Sequence, residues 1–104
     1  MFVILWEYEV KLGCEESFER AYGAQGSWVQ LFRRDPAYIS TQLLRDPLRC
    51  SFYYTLDCWN SDQAFDSFKL SYRVDYESLD FATQPLTVQE RLIRSFTPLR
   101  TPVL

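Results

Sequence analysis

The sequence predicts an α+β domain in which strand, helix, strand, strand, helix and strand follow one another. Three observations predict it. Four runs are rich in strand formers, two stretches place apolar residues at helical spacing, and no composition break divides the 104 residues. A chain of this β-α-β-β-α-β order folds as a ferredoxin-like four-stranded antiparallel sheet with both helices on one face. Residues 1–104 are read as a single domain, with a core over 2–96 and an extended C-terminal arm over 97–104.

The first strand is Phe2 to Val10. Phe2, Ile4, Trp6, Tyr8 and Val10 share one face, and Val3, Leu5, Glu7 and Glu9 share the other. Its first half is apolar on both faces, which calls for cover on both sides. After a turn at Lys11-Leu12-Gly13, Cys14, Phe18, Ala21 and Tyr22 fall at helical spacing. Glu15 and Glu16 sit in the first turn, where the helix dipole favours them. Gly23 and Gly26 interrupt this helix. Ser27 is expected to cap its second part, which carries Trp28, Leu31 and Phe32 and stops before Pro36.

Tyr38 to Arg45 and Cys50 to Cys58 read as a hairpin joined by Asp46-Pro47-Leu48-Arg49. Asn60 is expected to cap the second helix, with Gln63 three positions on. Phe65, Phe68, Tyr72, Tyr76 and Leu79 form one stripe of that helix. Val88 to Phe96 is the fourth strand, with Val88, Glu90, Leu92, Arg94 and Phe96 expected on a common face. Pro98 and Pro102 keep the tail out of a sheet interior.

Composition narrows the function. A net charge of −3 argues against nucleic acid, whose binders need clustered Lys and Arg. It argues equally against anionic membranes. The apolar run from Met1 to Trp6 is too short to span a bilayer, and no basic segment precedes it as in a signal peptide. Cys14, Cys50 and Cys58 include no CxxC pair. At roughly 3.3 Å per residue, Cys50 and Cys58 at the two ends of one strand lie about 26 Å apart, beyond disulfide reach. A cytoplasmic location is expected. The chain has no histidine, which removes imidazole bases, catalytic triads and His metal ligands. No metal site is expected.

Eight Phe, seven Tyr and three Trp are many rings for so short a chain to hide. The helices cover one sheet face, and the other, apolar in part, is expected to be covered by a second copy of the chain.

Trp59-Asn60-Ser61-Asp62-Gln63-Ala64-Phe65 resembles the W-x-S-x-x-A-F stretch of the antibiotic biosynthesis monooxygenase-like domains, and Tyr8 to Gly13 and Tyr38 to Thr41 fit the same pattern. The resemblance spans about residues 2–96. It implies a dimeric α+β barrel, a homodimer with two sheets face to face, and a pocket between sheet and helices in each protomer. It also implies oxidation of a quinol or polyketide-type aromatic by molecular oxygen with no metal or flavin; other members degrade haem. Where those use an Asn, a Trp and a His, this chain has Trp6, Phe68 and roughly Ser78, so haem degradation is not expected.

The ligand pocket is expected at Trp6, Tyr8, Phe65, Phe68, Tyr72 and Tyr76, whose rings could stack a small planar aromatic while the hydroxyls fix its orientation. The same stripe is also what a plain aromatic core looks like. Glu7, Glu9 and Asp57 are the candidate proton acceptors, although Glu7 and Glu9 are expected to face the partner sheet or solvent, and the Asp57-Cys58-Trp59 step also reads as packing. Cys14 is expected to be inert, since Glu15 and Glu16 oppose a lowered thiol pKa. Arg33 with Arg34 and Arg45 with Arg49 suit an anionic ligand or, more simply, a helix end and a hairpin rim. The catalytic residues are not identified by the sequence. Two functions stay open: a cofactor-independent monooxygenase-like enzyme, and a non-catalytic dimeric module that binds a small molecule or has a structural role.

Overall fold

The computed structural model describes residues 1–99. The elements are β1 (Phe2–Val10), α1 (Glu15–Tyr22), α2 (Ser27–Phe32), β2 (Tyr38–Arg45), β3 (Phe52–Trp59), α3 (Asp62–Ser71), α4 (Arg73–Thr83) and β4 (Thr87–Phe96), with a 3-10 turn at Gln84–Leu86. The strands form one antiparallel sheet in the order β2-β3-β1-β4, the α+β, ferredoxin-like architecture read from the sequence. Residues 97–99 are irregular; the rest of the expected arm, Pro102 included, lies outside the described residues. No helix among the described residues is long and apolar enough to cross a membrane.

Alternation places each strand's inner set. Ile4, Tyr8 and Val10 of β1 and Tyr53, Thr55, Asp57 and Trp59 of β3 are buried beneath the helices. The core is a chain of rings. Phe18 stacks on Tyr22 at 4.2 Å and meets Tyr8 and Tyr53. Further along, Trp59 packs on Phe68 at 4.8 Å and edge-on to Phe32. Each fully buried ring contributes about 1.5–3 kcal/mol by leaving water, and well-oriented pairs about 0.5–1.5 kcal/mol more.

The loops have local causes. Gly13 takes φ +89° in the turn after β1, a conformation that side chains with a Cβ rarely adopt. Gly26 lies so close to the Ala21 and Arg20 carbonyl oxygens that a Cβ there would strike backbone, and this lets α2 fold back tightly behind α1.

Four local expectations need correction. The cap of α3 is Ser61, whose Oγ accepts from the Ala64 N–H at 3.0 Å; Asn60 instead donates its own N–H to the Ala37 carbonyl at 2.9 Å. Gly26 is the cap of α2, and Ser27 lies inside the helix with no side-chain cap bond. The second helix is not continuous: it bends at Tyr72 (φ −111°, ψ 29°), whose hydroxyl donates to the Arg34 carbonyl at 3.1 Å and pins the bend to the end of α2. In β4, irregular register between Leu5 and Trp6 pairs Leu92 with Trp6 but Arg94 with Leu5. One extra residue thereby moves Arg94 and Phe96 to the face opposite Glu90 and Leu92.

Among the described residues, no helix covers the second sheet face. Val3, Leu5, Tyr54, Leu56 and Cys58 are only partly covered there, and Leu44 and Phe96 are exposed. One polar cluster interrupts it. Glu7 accepts from Arg91 at 2.7 Å and from the Tyr54 hydroxyl at 3.0 Å, with Arg49 at 3.7 Å.

Candidate functional site

Between the covered sheet face and the helices lies a cavity of about 40 Å³. Its floor is built by the strands: Trp6 and Tyr8 from β1, Thr55 and Asp57 from β3, Thr41 from β2 and Glu90 from β4. Its walls come from the helices: Tyr22, Trp28, Phe32, Phe65, Tyr76 and Asp80.

Of the six residues that the sequence put in a pocket, Trp6, Tyr8, Phe65 and Tyr76 line this cavity. Phe68 does not; it is wholly buried against Trp59 and Phe32. Tyr72 does not either, because the bend in the helix sends its hydroxyl to Arg34. Tyr22, Trp28 and Phe32 belong to the cavity and were not anticipated. Their spacing on the broken first helix read as core, and only the fold of α2 behind α1 brings them to β1.

Asp57 is the most unusual group in the cavity. It is 7% exposed and has no cationic partner among the described residues. Its Oδ1 accepts one side-chain hydrogen bond, from the Thr41 hydroxyl at 2.7 Å, and Thr41 in turn accepts from Tyr38 at 2.8 Å. Burial pushes its carboxyl up to about 6, against the smaller opposing effect of the Thr41 bond. The position follows from alternation: Asp57 stands between Thr55 and Trp59 on the inner face of β3.

The hydroxyls around it stay neutral. Burial raises Tyr8 well above the usual range for tyrosine, although Thr55 bonds it at 3.0 Å. Tyr22, which donates to Thr83 at 3.2 Å, and Tyr76 are both pushed up to about 12 by burial. Glu90 rises too, through burial and the nearby Asp80 carboxylate. The Trp28 Nε1–H is buried near the Tyr22 hydroxyl, whose ionised form it favours slightly; like the Trp59 Nε1–H in the core, it makes no full hydrogen bond among the described residues.

The other expected acceptors lie elsewhere. Glu7 and Glu9 are on the open face, and Glu7 is held below the usual carboxylate range by Arg91 above all, with Tyr54 and Arg49 adding to it. A carboxylate so engaged is a poor proton acceptor. Arg34 bridges to Asp75 at 2.7 Å and Arg49 to Asp46 at 3.3 Å, and none of Arg33, Arg34, Arg45 and Arg49 lines the cavity. No group of His, Cys, Asp and Glu among the described residues could hold a metal ion.

The arrangement is an aromatic-walled cavity with two carboxyl groups, Asp57 and Glu90, on its floor. Solved structures of the same architecture have such a domain. SnoaB from Streptomyces nogalater, a cofactor-independent oxygenase, matches with TM-score 0.67 and 18% identity over 96% of this chain and 94% of its own. A candidate antibiotic biosynthesis monooxygenase from Deinococcus radiodurans matches with TM-score 0.78 and 8% identity, over 100% and 98%. A single-residue variant of MhuD, with two manganese protoporphyrin IX bound per active site, matches with TM-score 0.73 and 19% identity, over 99% and 98%. No family model and no curated protein matches the sequence. The chain has the fold of the antibiotic biosynthesis monooxygenase-like domain.

Proposed function

We propose that this chain is a monooxygenase-like protein that oxidises a small phenol or quinol with molecular oxygen, and that Asp57 is the group that accepts the substrate's proton. The observation that carries this reading is an uncompensated, buried carboxylate on the floor of an aromatic cavity. A structural role alone would be better served by a neutral side chain, because an unpaired buried charge is costly. Its raised pKa of about 6 places Asp57 near the value at which a base works well at neutral pH.

The chemistry asks little else of the protein. Loss of the phenolic proton to Asp57 leaves an electron-rich ring that oxygen can attack. One oxygen atom enters the ring and the other leaves as water, so a phenol and dioxygen become a quinone and water. The substrate supplies all the electrons, which makes a metal or flavin unnecessary. Trp6, Phe65 and Tyr76 exclude water and stack the ring, and neutral tyrosine hydroxyls orient it. At about 40 Å³ the cavity is well below the roughly 150 Å³ that holds a benzene ring, so a single-ring substrate requires Phe65 or Tyr76 to shift, and a multi-ring polyketide requires more.

We also propose that two copies pair through the open sheet face, which would bury Leu5, Leu56 and Phe96. The free thiols Cys14, Cys50 and Cys58 agree with a cytoplasmic setting. The smallness of the cavity favours a second reading, a binding module that performs no oxidation. Oxygen uptake with a panel of single-ring quinols and naphthols separates the two. The enzyme reading expects uptake that Trp6→Ala and Asp57→Asn each suppress. No uptake with any member of the panel leaves the binding module.

A further inference from the structure

Asp57 can act repeatedly only if the proton it takes in one turnover leaves before the next. It is 7% exposed, and a molecule lying in the cavity would cover the side that faces it. The neighbouring strand offers another way out. Asp57 Oδ1 accepts from the Thr41 hydroxyl at 2.7 Å, and Thr41 Oγ1 accepts from the Tyr38 hydroxyl at 2.8 Å. Asp80 of α4 and Glu90 of β4 also line the cavity, but among the described residues neither bonds to Asp57.

The alignment of the two hydroxyls comes from an irregularity in β2. Three residues apart, Tyr38 and Thr41 would lie on opposite faces of a regular strand. They share the inner face because β2 holds one extra residue: Tyr38 pairs with Trp59, Ser40 with Cys58 and Thr41 with Asp57. Packing against Trp59 at 5.4 Å and Phe32 at 5.5 Å fixes the Tyr38 ring. Thr41 lines the cavity, whereas Tyr38 does not; Tyr38 is partly exposed on the outermost strand of the sheet. The pair therefore runs from the cavity floor to the sheet edge. An ionised carboxylate only accepts, so Thr41 gives Asp57 its single proton and Tyr38 supplies Thr41. The bond from Thr41 alone would satisfy Oδ1, and it would not need the bulge that brings Tyr38 into line.

We propose that Thr41 and Tyr38 form a relay that carries the proton from Asp57 to solvent, both being positioning residues that act through Asp57. This rests on the reading of Asp57 as the substrate's proton acceptor and adds how that acceptor is regenerated. Thr41 holds Oδ1, so the substrate's proton goes to Oδ2, and a half-turn of the carboxyl about its soft last torsion brings it to Thr41. The proton passes from Asp57 to Thr41 Oγ1, the Thr41 proton to the Tyr38 oxygen, and the Tyr38 proton to water or a buffer base. Each hydroxyl gains one proton and loses one, and no electron changes hands.

Carbon-13 NMR of protein labelled at the aspartate carboxyls tests the relay without a substrate, and Asp57→Asn assigns the Asp57 signal. Rapid proton exchange gives one signal that moves with pH, and slow exchange gives two. Wild type is expected to show one moving signal through about pH 6. Tyr38→Phe keeps the ring but loses the hydroxyl, so it should show two. Thr41→Ser keeps the hydroxyl and should match wild type. Thr41→Val cuts the path one step earlier and should also show two; it stands in should Tyr38→Phe not fold. In turnover, Tyr38→Phe should lower kcat about tenfold and leave kcat/KM nearly unchanged, because proton release follows the chemistry. Imidazole buffer should restore that kcat. Two signals in wild type, or one moving signal in either broken variant, overturns the relay. Uptake that Asp57→Asn abolishes and Tyr38→Phe leaves unchanged sinks only the relay. A signal that splits in Tyr38→Phe, without uptake from any quinol, sinks only the oxygenase reading.

Discussion

Two carboxylates on neighbouring central strands face opposite sides of one sheet and have opposite fates. Glu7 on β1 points to the open face, where Arg91, Arg49 and Tyr54 surround it and hold its pKa down. Asp57 on β3 points under the helices, where burial raises its pKa to about 6 and Thr41 is its only side-chain partner among the described residues. The contrast separates structure from function. A carboxylate surrounded by guanidinium and hydroxyl donors is stabilised in its charged form and has little tendency to take a proton. An isolated carboxylate in a cavity opposes folding, and under the proposed function it is there to accept a proton.

The largest effect that can break this comparison is on turnover. Asp57→Asn should lower oxygen uptake by about 10²–10⁴-fold, the usual worth of a positioned base, while Glu7→Gln should leave it within about twofold. The pH profile should agree. Asp57 must be ionised to accept a proton, so kcat/KM should fall about tenfold per unit of acidification below about pH 6. Thr41→Val removes the bond that favours the charged form and should move this acid limb upward, which a merely structural Thr41 would not do. An unchanged limb in that variant counts against Asp57 as the base.

Next in size is the effect on pairing of the two open faces. Leu56 lies at their centre, between Leu5 and Gln42 in register. Leu56→Arg would bury an unpaired charge in each protomer and should raise the dissociation constant of a dimer at least about 100-fold, read by light scattering across a dilution series. A wild-type chain that is monomeric at micromolar concentration removes the pairing altogether, and with it the reason for Leu5, Leu56 and Phe96 to lie uncovered.

How far these positions can be read without coordinates differs between the two faces. Strand alternation puts Glu7 on one face and Trp6 and Tyr8 on the other, and the family resemblance implies that the second set looks toward the helices. Asp57 follows by the same rule, yet its isolation does not, since nothing local says that Arg45 and Arg49 stop short of it. The helix stripe is half legible. Phe65 and Tyr76 reach the cavity at the expected spacing, but the bend at Tyr72 has neither Gly nor Pro to announce it and is fixed by a distant hydrogen bond to Arg34. The bulge in β4 is likewise invisible to alternation, and it decides that Glu90 shares a face with Tyr8 while Arg94 does not.

A third effect concerns stability, and here the two carboxylates should show opposite signs. The folded pKa of Asp57, about 6, lies above its ordinary value of 3.8. The native state therefore binds more protons than the unfolded state between those values, and stability falls as pH rises through that window. At 1.36 kcal/mol per unit, the rise of about two units corresponds to a penalty of about 3 kcal/mol above pH 6. Asp57→Asn keeps the Thr41 bond without the charge. It should be more stable than wild type at pH 8 by up to about 3 kcal/mol and indistinguishable from it near pH 4, as denaturant titration would reveal. A variant less stable than wild type at pH 8 would mean that the carboxylate is compensated by a partner after all.

The smallest expected effect belongs to Glu7, and it sharpens the comparison because its direction is reversed. Its folded pKa is lowered, chiefly by the Arg91 bond, so its contribution is present above the ordinary value of 4.5 and is lost as pH falls through the folded value. Arg91 and Arg49 are each more than half exposed, so solvent screens the cluster and Glu7→Gln should cost only about 0.5–1 kcal/mol at pH 7. Raising salt from 0.05 to 1 M, about a fourfold shortening of the screening length, should erase most of that cost, whereas the gain from Asp57→Asn should hardly change, since a buried group is screened far less. Measured side by side in low and high salt, the two variants distinguish a solvent-exposed ion-pair cluster from an enclosed acid. If both respond to salt alike, Asp57 is in contact with bulk solvent, and neither the raised pKa nor the proton-accepting role built on it can stand.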